Sequence, residues 1–124
     1  MRRLTVSRDS EGKTGLIELP VEDILFFESN SRNKDMIILH TWDELFYAPG
    51  TLRYWLEALK SSGEDFEMVD RVNVVHLSKV HHVDRIFRIA YFGESKSSKQ
   101  CTLSISNVSK VLQHLASNKN NLQP

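Results

Sequence analysis

Four sets of side chains in this chain are of types that do chemistry. Glu22-Asp23 and Asp43-Glu44 are paired carboxylates, His76, His81 and His82 are clustered imidazoles, and Cys101 is the single thiol. The fourth set is cations and amides in polar stretches: Asn30, Arg32, Asn33 and Lys34, then Arg71, Lys96 and Lys99, then Ser106 and Asn107. A carboxylate pair can pass a proton, but adjacent residues on a strand point to opposite faces, so neither pair forms a dyad alone. Both pairs read as solvated turn charges. Zinc needs three or four convergent ligands. His81 and His82 would diverge on a strand, and no carboxylate or cysteine stands at ligand spacing beside them. No metal and no cofactor is expected. Cys101 sits in an apolar alternation with Leu103 and reads as a small core residue rather than a nucleophile. A redox or metal sensor built on it and the histidines lacks ligands. Gly12 and Gly15 are isolated and make no phosphate loop. No nucleophile, base and orienter can be named together, which argues against an enzyme and offers no small-molecule substrate.

The cations and amides point to a different chemistry. Arg32, Lys34, Arg71, Lys96 and Lys99 stand in or near turns, where long cations reach phosphates and release counterions. Asn30, Asn33 and Asn107 carry short amides suited to adenine edges. Exposed turns hold such residues in any soluble protein, so this composition alone does not separate recognition from solvation. Charge distribution adds to it. Residues 1–70 carry eight Lys and Arg against fourteen Asp and Glu, a balance of −6, and residues 71–124 carry eight against two, +6. The net charge of zero therefore hides an acidic half and a basic half. One basic surface facing a nucleic acid is one reading; halves that interleave in space and cancel are the other.

Elements must hold these loops. Chain length, 124 residues, suits one domain that buries about two-thirds of its unfolded surface without staples. One cysteine fits a reducing compartment. The first residues have no signal-peptide pattern, and no apolar stretch approaches the ~20 residues of a membrane helix, so a cytoplasmic protein without a membrane partner is expected. Ile24 to Phe27 is an unbroken apolar run of four, short and aromatic, and reads as a strand buried on both faces. Residues 30–34 then project as a polar loop, and Met36 to Leu39 return as a second strand. Residues 45–48 form the next hairpin arm after a turn at 41–44. Thr51 can cap a helix in which Leu52, Trp55, Leu56 and Leu59 make one apolar stripe, with Gly63 at its end. Residues 66–105 read as strands, including an alternation over 86–91 and another placing Cys101, Leu103 and Ile105 on one side. A last helix starts near Ser106 or Asn107 with Val108, Val111, Leu112 and Leu115 inward. Residues 1–13 read as an arm or edge strand, and residues 117–124 as a flexible tail.

In this order the elements resemble the LytTR family of DNA-binding domains over residues 14–116. Four segments carry the resemblance: Val21–Ser29 with Glu28 before the loop; Gly50-Thr51-Leu52 with Leu56 and Leu59; Phe66–Val80, above all Asp70–Val72 and Val74–Val80; and Leu103–Val108. The resemblance implies a mainly β fold, an elongated stack of small antiparallel sheets with one short internal helix and a C-terminal helix. It implies a transcriptional regulator, of the kind found as response-regulator output domains, here standing alone. Such domains reach double-stranded DNA with loops, here the loop Asn30–Lys34, Arg71, and the turn Ser106–Asn107, with Lys99 as a further cation. A homodimer on repeated half-sites is one arrangement this allows. The sequence departs from the family pattern at Asp70, where His is usual, Val72 for Ser, His76 for Asn, and Ser106 for Arg. Those departures define the alternative, a LytTR-fold interaction module that has lost DNA binding and pairs with another regulator or a sensor.

Overall fold

The computed structural model describes residues 2–94 and 99–122, with side chains described through Ala116. The described strands are β1 (Arg3–Val6), β2 (Ile17–Pro20), β3 (Phe26–Ser29), β4 (Met36–His40), β5 (Leu45–Pro49), β6 (Phe66–Asp70), β7 (Asn73–His76), β8 (His82–Asp84), β9 (Ile89–Tyr91) and β10 (Gln100–Thr102). The helices are α1 (Leu52–Ser61) and α2 (Ile105–Leu122). Strands assemble into three antiparallel sheets: β1-β2, the five-stranded β5-β4-β3-β7-β6, and β10-β9-β8. No helix among the described residues is long and apolar enough to cross a membrane.

The five-stranded sheet is the middle layer, and β3 explains why its sequence is apolar without a break. Phe27 points into a cluster with Ile37, Leu39, Phe46, Val74 and the α1 residues Leu52, Leu56 and Leu59. Phe26 points the other way, into a cluster with Val75, Ala90, Phe92, Cys101, Leu103 and Val111. Successive side chains of a strand alternate between faces, so a strand covered twice needs apolar residues at every position. Thr51 caps α1 as its sequence suggests, its hydroxyl accepting from Tyr54 N at 3.1 Å. Gly50 just before it is fixed by geometry: its φ is 113°, and an added Cβ would lie 2.9 Å from Trp55 Nε1.

Two expectations fail for identifiable local reasons. Residues 85–88 are a turn, not part of a strand over 86–91, because Asp84 Oδ1 accepts from both Ile86 N and Phe87 N at 2.9 Å. That capture curls the chain and leaves Ile86 81% and Phe87 72% exposed. Ile105 does not join Cys101 and Leu103 inside; it opens α2 and is 75% exposed. Ser104 makes the break, its N–H donating to Val69 O at 2.8 Å while its carbonyl accepts from Asn107 N at 3.0 Å. The last helix, α2, is described to Leu122. No Gly or Pro lies between Ser106 and Gln123 to stop it.

Candidate nucleic-acid interface

The loop after β3 is ordered by its own asparagines. Asn30 Oδ1 accepts from Arg32 N and Asn33 Oδ1 accepts from Asp35 N, both at 3.0 Å. Each amide thus commits one carbonyl lone pair to a local turn, and its Nδ2 donors enter no hydrogen bond found among the described residues. Arg32 and Lys34 are exposed and belong to no salt bridge found among the described residues. The loop is anchored where it returns to β4. Met36 N donates to Asn33 O at 3.2 Å, and Gly50 N donates to Asp35 O at 2.8 Å.

Arg71 is brought to this loop by the sheet. Ser29 N donates to Val72 O at 3.0 Å, so the β6–β7 turn sits beside the base of the 30–34 loop. Asp70 does not stand there as a free negative charge. Its Oδ1 accepts from Arg71 N at 2.6 Å and its Oδ2 accepts from Thr102 Oγ1 at 2.9 Å. Asn73 Nδ2 donates to Thr102 Oγ1 at 3.0 Å and to Thr102 O at 3.2 Å. Asp70, Thr102 and buried Asn73 therefore clamp the middle sheet to β10. The Arg71 side chain is left exposed and in no salt bridge found among the described residues.

Ser106 and Asn107 join the same end through Ser104, whose bond to Val69 seats the start of α2 beside β6. Asn107 Nδ2 donates to Ser104 Oγ at 2.6 Å, so this amide is spent locally, while Ser106 is exposed. Lys99 lies apart from the loop tip. Its Nζ donates to His40 Nδ1 at 3.3 Å, which places the imidazole proton on Nε2, facing Glu28 Oε1 at 2.8 Å. The His40 ring stacks on Phe26 with centroids 4.0 Å apart. Burial, and then the Lys99 cation, hold His40 below the usual histidine pKa against the opposing pull of Glu28. Phe26, Glu28 and His40 line a groove of about 230 Å³ between the middle sheet and β9–β10. Lys96 falls outside the described residues.

The other candidate chemistry is accounted for. His76 is buried, with Nδ1 against Ile24 O at 2.9 Å, Nε2 against Asp65 Oδ1 at 2.8 Å, and its ring stacked on Phe66. It is a core residue, not part of the loop surface. Burial pushes the Cys101 thiol up to about 12, with the charges of Asp70 and Glu28 adding to it. Glu22 and Asp23 are exposed on a short 3-10 helix, Val21–Asp23, and Asp43 and Glu44 are exposed between β4 and β5, Glu44 meeting Arg8 at 3.6 Å. Among the described residues, no three His, Cys, Asp or Glu gather as a metal site. Sequence reasoning missed His40, Asn73 and Thr102. His40 sits opposite Phe26, and that register depends on pairing no local pattern reveals.

Three small antiparallel sheets that bring ordered polar loops to one end define a loop-presenting, mostly β domain. A solved LytTr DNA-binding domain from Bacillus cereus has this fold, with a TM-score of 0.68 at 14% identity, covering 91% of this chain and 95% of that one. The family described as LytTr DNA-binding domain matches residues 14–116, and the chain belongs to that family. No curated protein matches the chain.

Proposed function

We propose that this domain is a sequence-specific DNA-binding transcriptional regulator that touches duplex DNA through its loops. The observation that carries the reading is the Ser29–Val72 backbone bond, which seats the basic 30–34 loop against the turn bearing Arg71. Exposed cations from distant parts of the chain thereby share one edge without neutralising partners among the described residues. Arg32 and Lys34 are assigned to phosphates, Arg71 to a base edge or a phosphate, and the Nδ2 groups of Asn30 and Asn33 to acceptors. Ser106 and Asn107 extend the edge at the start of α2. Ser106 lacks the guanidinium the family usually offers there, which forgoes a guanine contact worth roughly 1–3 kcal/mol of discrimination. Lys99, held by His40, contributes field rather than direct contact. If two copies bind repeated half-sites, the repeats should be spaced at multiples of about 10 bp.

The test is a salt titration of two variants on a selected site and on a scrambled one. Lys34→Ala should weaken both duplexes alike and lower the salt slope by about one. Arg71→Ala, if the side chain reads a base, should cost roughly 1–3 kcal/mol on the selected site and relax preference at one position. Wild type binding both duplexes equally weakly, with neither variant different, would replace this reading with the interaction module. Exposed Ile86 and Phe87 are the observation that favours that second reading.

A further inference from the structure

Two exposed apolar patches on this molecule have no role in the DNA reading, and they match each other. The first is the β8–β9 turn. Ile86 and Phe87 stand 81% and 72% exposed at its tip, between Arg85 and Arg88, which are exposed and in no salt bridge found among the described residues. Ile105 at the start of α2 continues this patch at 75% exposure, beside a groove of about 440 Å³ that Arg85, Arg88, Val108 and Leu112 also line. It is a basic, apolar projection. The second patch is a hollow of about 350 Å³ where the β4–β5 turn meets the end of β2. Leu19 and Phe46 form its apolar floor, Trp42 stands at its side 54% exposed, and Asp23, Asp43 and Glu44 rim it. An apolar cavity of about 150 Å³ already holds a benzene ring, so this hollow has room for the Phe87 side chain.

The topology puts projection and hollow at opposite ends. In the β8-β9-β10 sheet, Ile89 pairs with Thr102 at the end that carries the 85–88 turn, and Thr102 is bonded to Asp70. Tyr91 pairs with Gln100 at the other end, next to Lys99, which is bonded to His40. The hollow's turn follows His40 directly. One chain therefore cannot satisfy its own hollow with its own projection, but a second copy can. The charges agree: arginines from the basic second half would face carboxylates from the acidic first half, the same asymmetry that nets to zero in the whole sequence.

We propose that this face-to-hollow match is a head-to-tail contact between copies of this chain, with Phe87 of one copy in the Trp42 hollow of the next and Arg85 and Arg88 against Asp23, Asp43 and Glu44. Such a contact is heterologous and does not close at two copies, so it adds molecules in a row. It does not depend on the DNA reading, because it forms in the free protein.

Sedimentation velocity of the full chain, without DNA, across rising concentration tests it. Weight-average mass should rise with protein up to about 1 mM and fall back at 0.5 M salt, since exposed charges are screened there. The variants R85E/R88E and D43K/E44K alter only exposed side chains. Each alone should stay monomeric, and an equimolar mixture of the two should associate again, because restored charge pairing then runs between the variants. Phe87→Ser should lose association at any salt. Self-association persisting in D43K/E44K would mean projection meets projection about a two-fold axis and would overturn the proposal. A monomer at every concentration would overturn it as well. So would R85E/R88E losing retention on a DNA column while wild type never self-associates, which would give the projection to nucleic acid instead.

Discussion

At the scale of single residues, one half-buried and one buried group carry testable charge states. His40 is held neutral by burial and by the Lys99 cation at 3.3 Å. A lowered folded-state pKa means the folded chain resists a proton that the unfolded chain accepts. His40 therefore supports the fold fully above the ordinary histidine value of about 6.5, and that support is lost as pH falls below it. Proton NMR of the ring should give a midpoint below about 6.5, and Lys99→Met should move it upward by removing the like charge. A wild-type midpoint at or above the ordinary value would contradict the geometry. Cys101 presents the opposite case, a thiol pushed up to about 12 inside the core. It should label slowly with a thiol reagent at pH 7.5 and react at an ordinary rate only in denaturant. Fast labelling of the native protein would show that β10 opens. The sequence made Cys101 legible because alternation is a local signal. It did not make His40 legible, because the phenyl ring and the carboxylate come from β3 and the lysine from the segment before β10, and only strand pairing brings them to this ring.

At the scale of elements, helices were easier to read than turns. The stripe of α1 was visible as spacing, and Leu52, Leu56 and Leu59 are all buried against the middle sheet. Leu56→Ala should lower stability by roughly 2–5 kcal/mol, the usual cost of emptying a buried leucine site that cannot collapse. Urea unfolding measures it, and a midpoint equal to wild type would mean the stripe is not packed. The β8–β9 turn was illegible for a converse reason. Its residues Ile86, Phe87 and Arg88 alternate like a strand, and only the Asp84 carboxylate two and three residues upstream decides otherwise. A single side-chain acceptor outweighed a pattern, and the left-handed φ of 55° at Arg88 then returns the chain to β9. The start of α2 follows the same rule. Ser104 bonds across to Val69, a contact no local window contains.

At the scale of the whole molecule, the middle sheet with a cluster on each face explains both the fold and the candidate site. β3 was readable as doubly buried because both layers write apolar residues onto one strand. What the sequence left open was which ends of the strands meet. The convergence of the 30–34 loop, Arg71 and the start of α2 rests on strand order β4-β3-β7-β6, in which β7 is inserted beside β3 from far along the chain. The same order accounts for two of the four departures from the family pattern. Asp70 closes a clamp between sheets, and His76 fills the core under β3, so neither residue stands as an uncompensated change on the loop surface.

The bridge between Ser7 and Tyr47 has a consequence for the safety of this architecture. β5 is the outermost strand of the middle sheet, and an uncovered edge of that kind can template other chains. Its outward N–H and C=O at Tyr47 are taken by Ser7 at 2.7 and 2.9 Å, and Pro49 on the same edge has no N–H to offer. The short segment after β1 thus works as a guard against fibril growth. Ser7→Pro removes one of the two bridging donors, Ser7 N, while leaving Val6 in the core. Thioflavin fluorescence at neutral pH should then rise over hours in the variant and stay flat in wild type. Equal, flat traces would show that the loops flanking β5 shield the edge without the bridge.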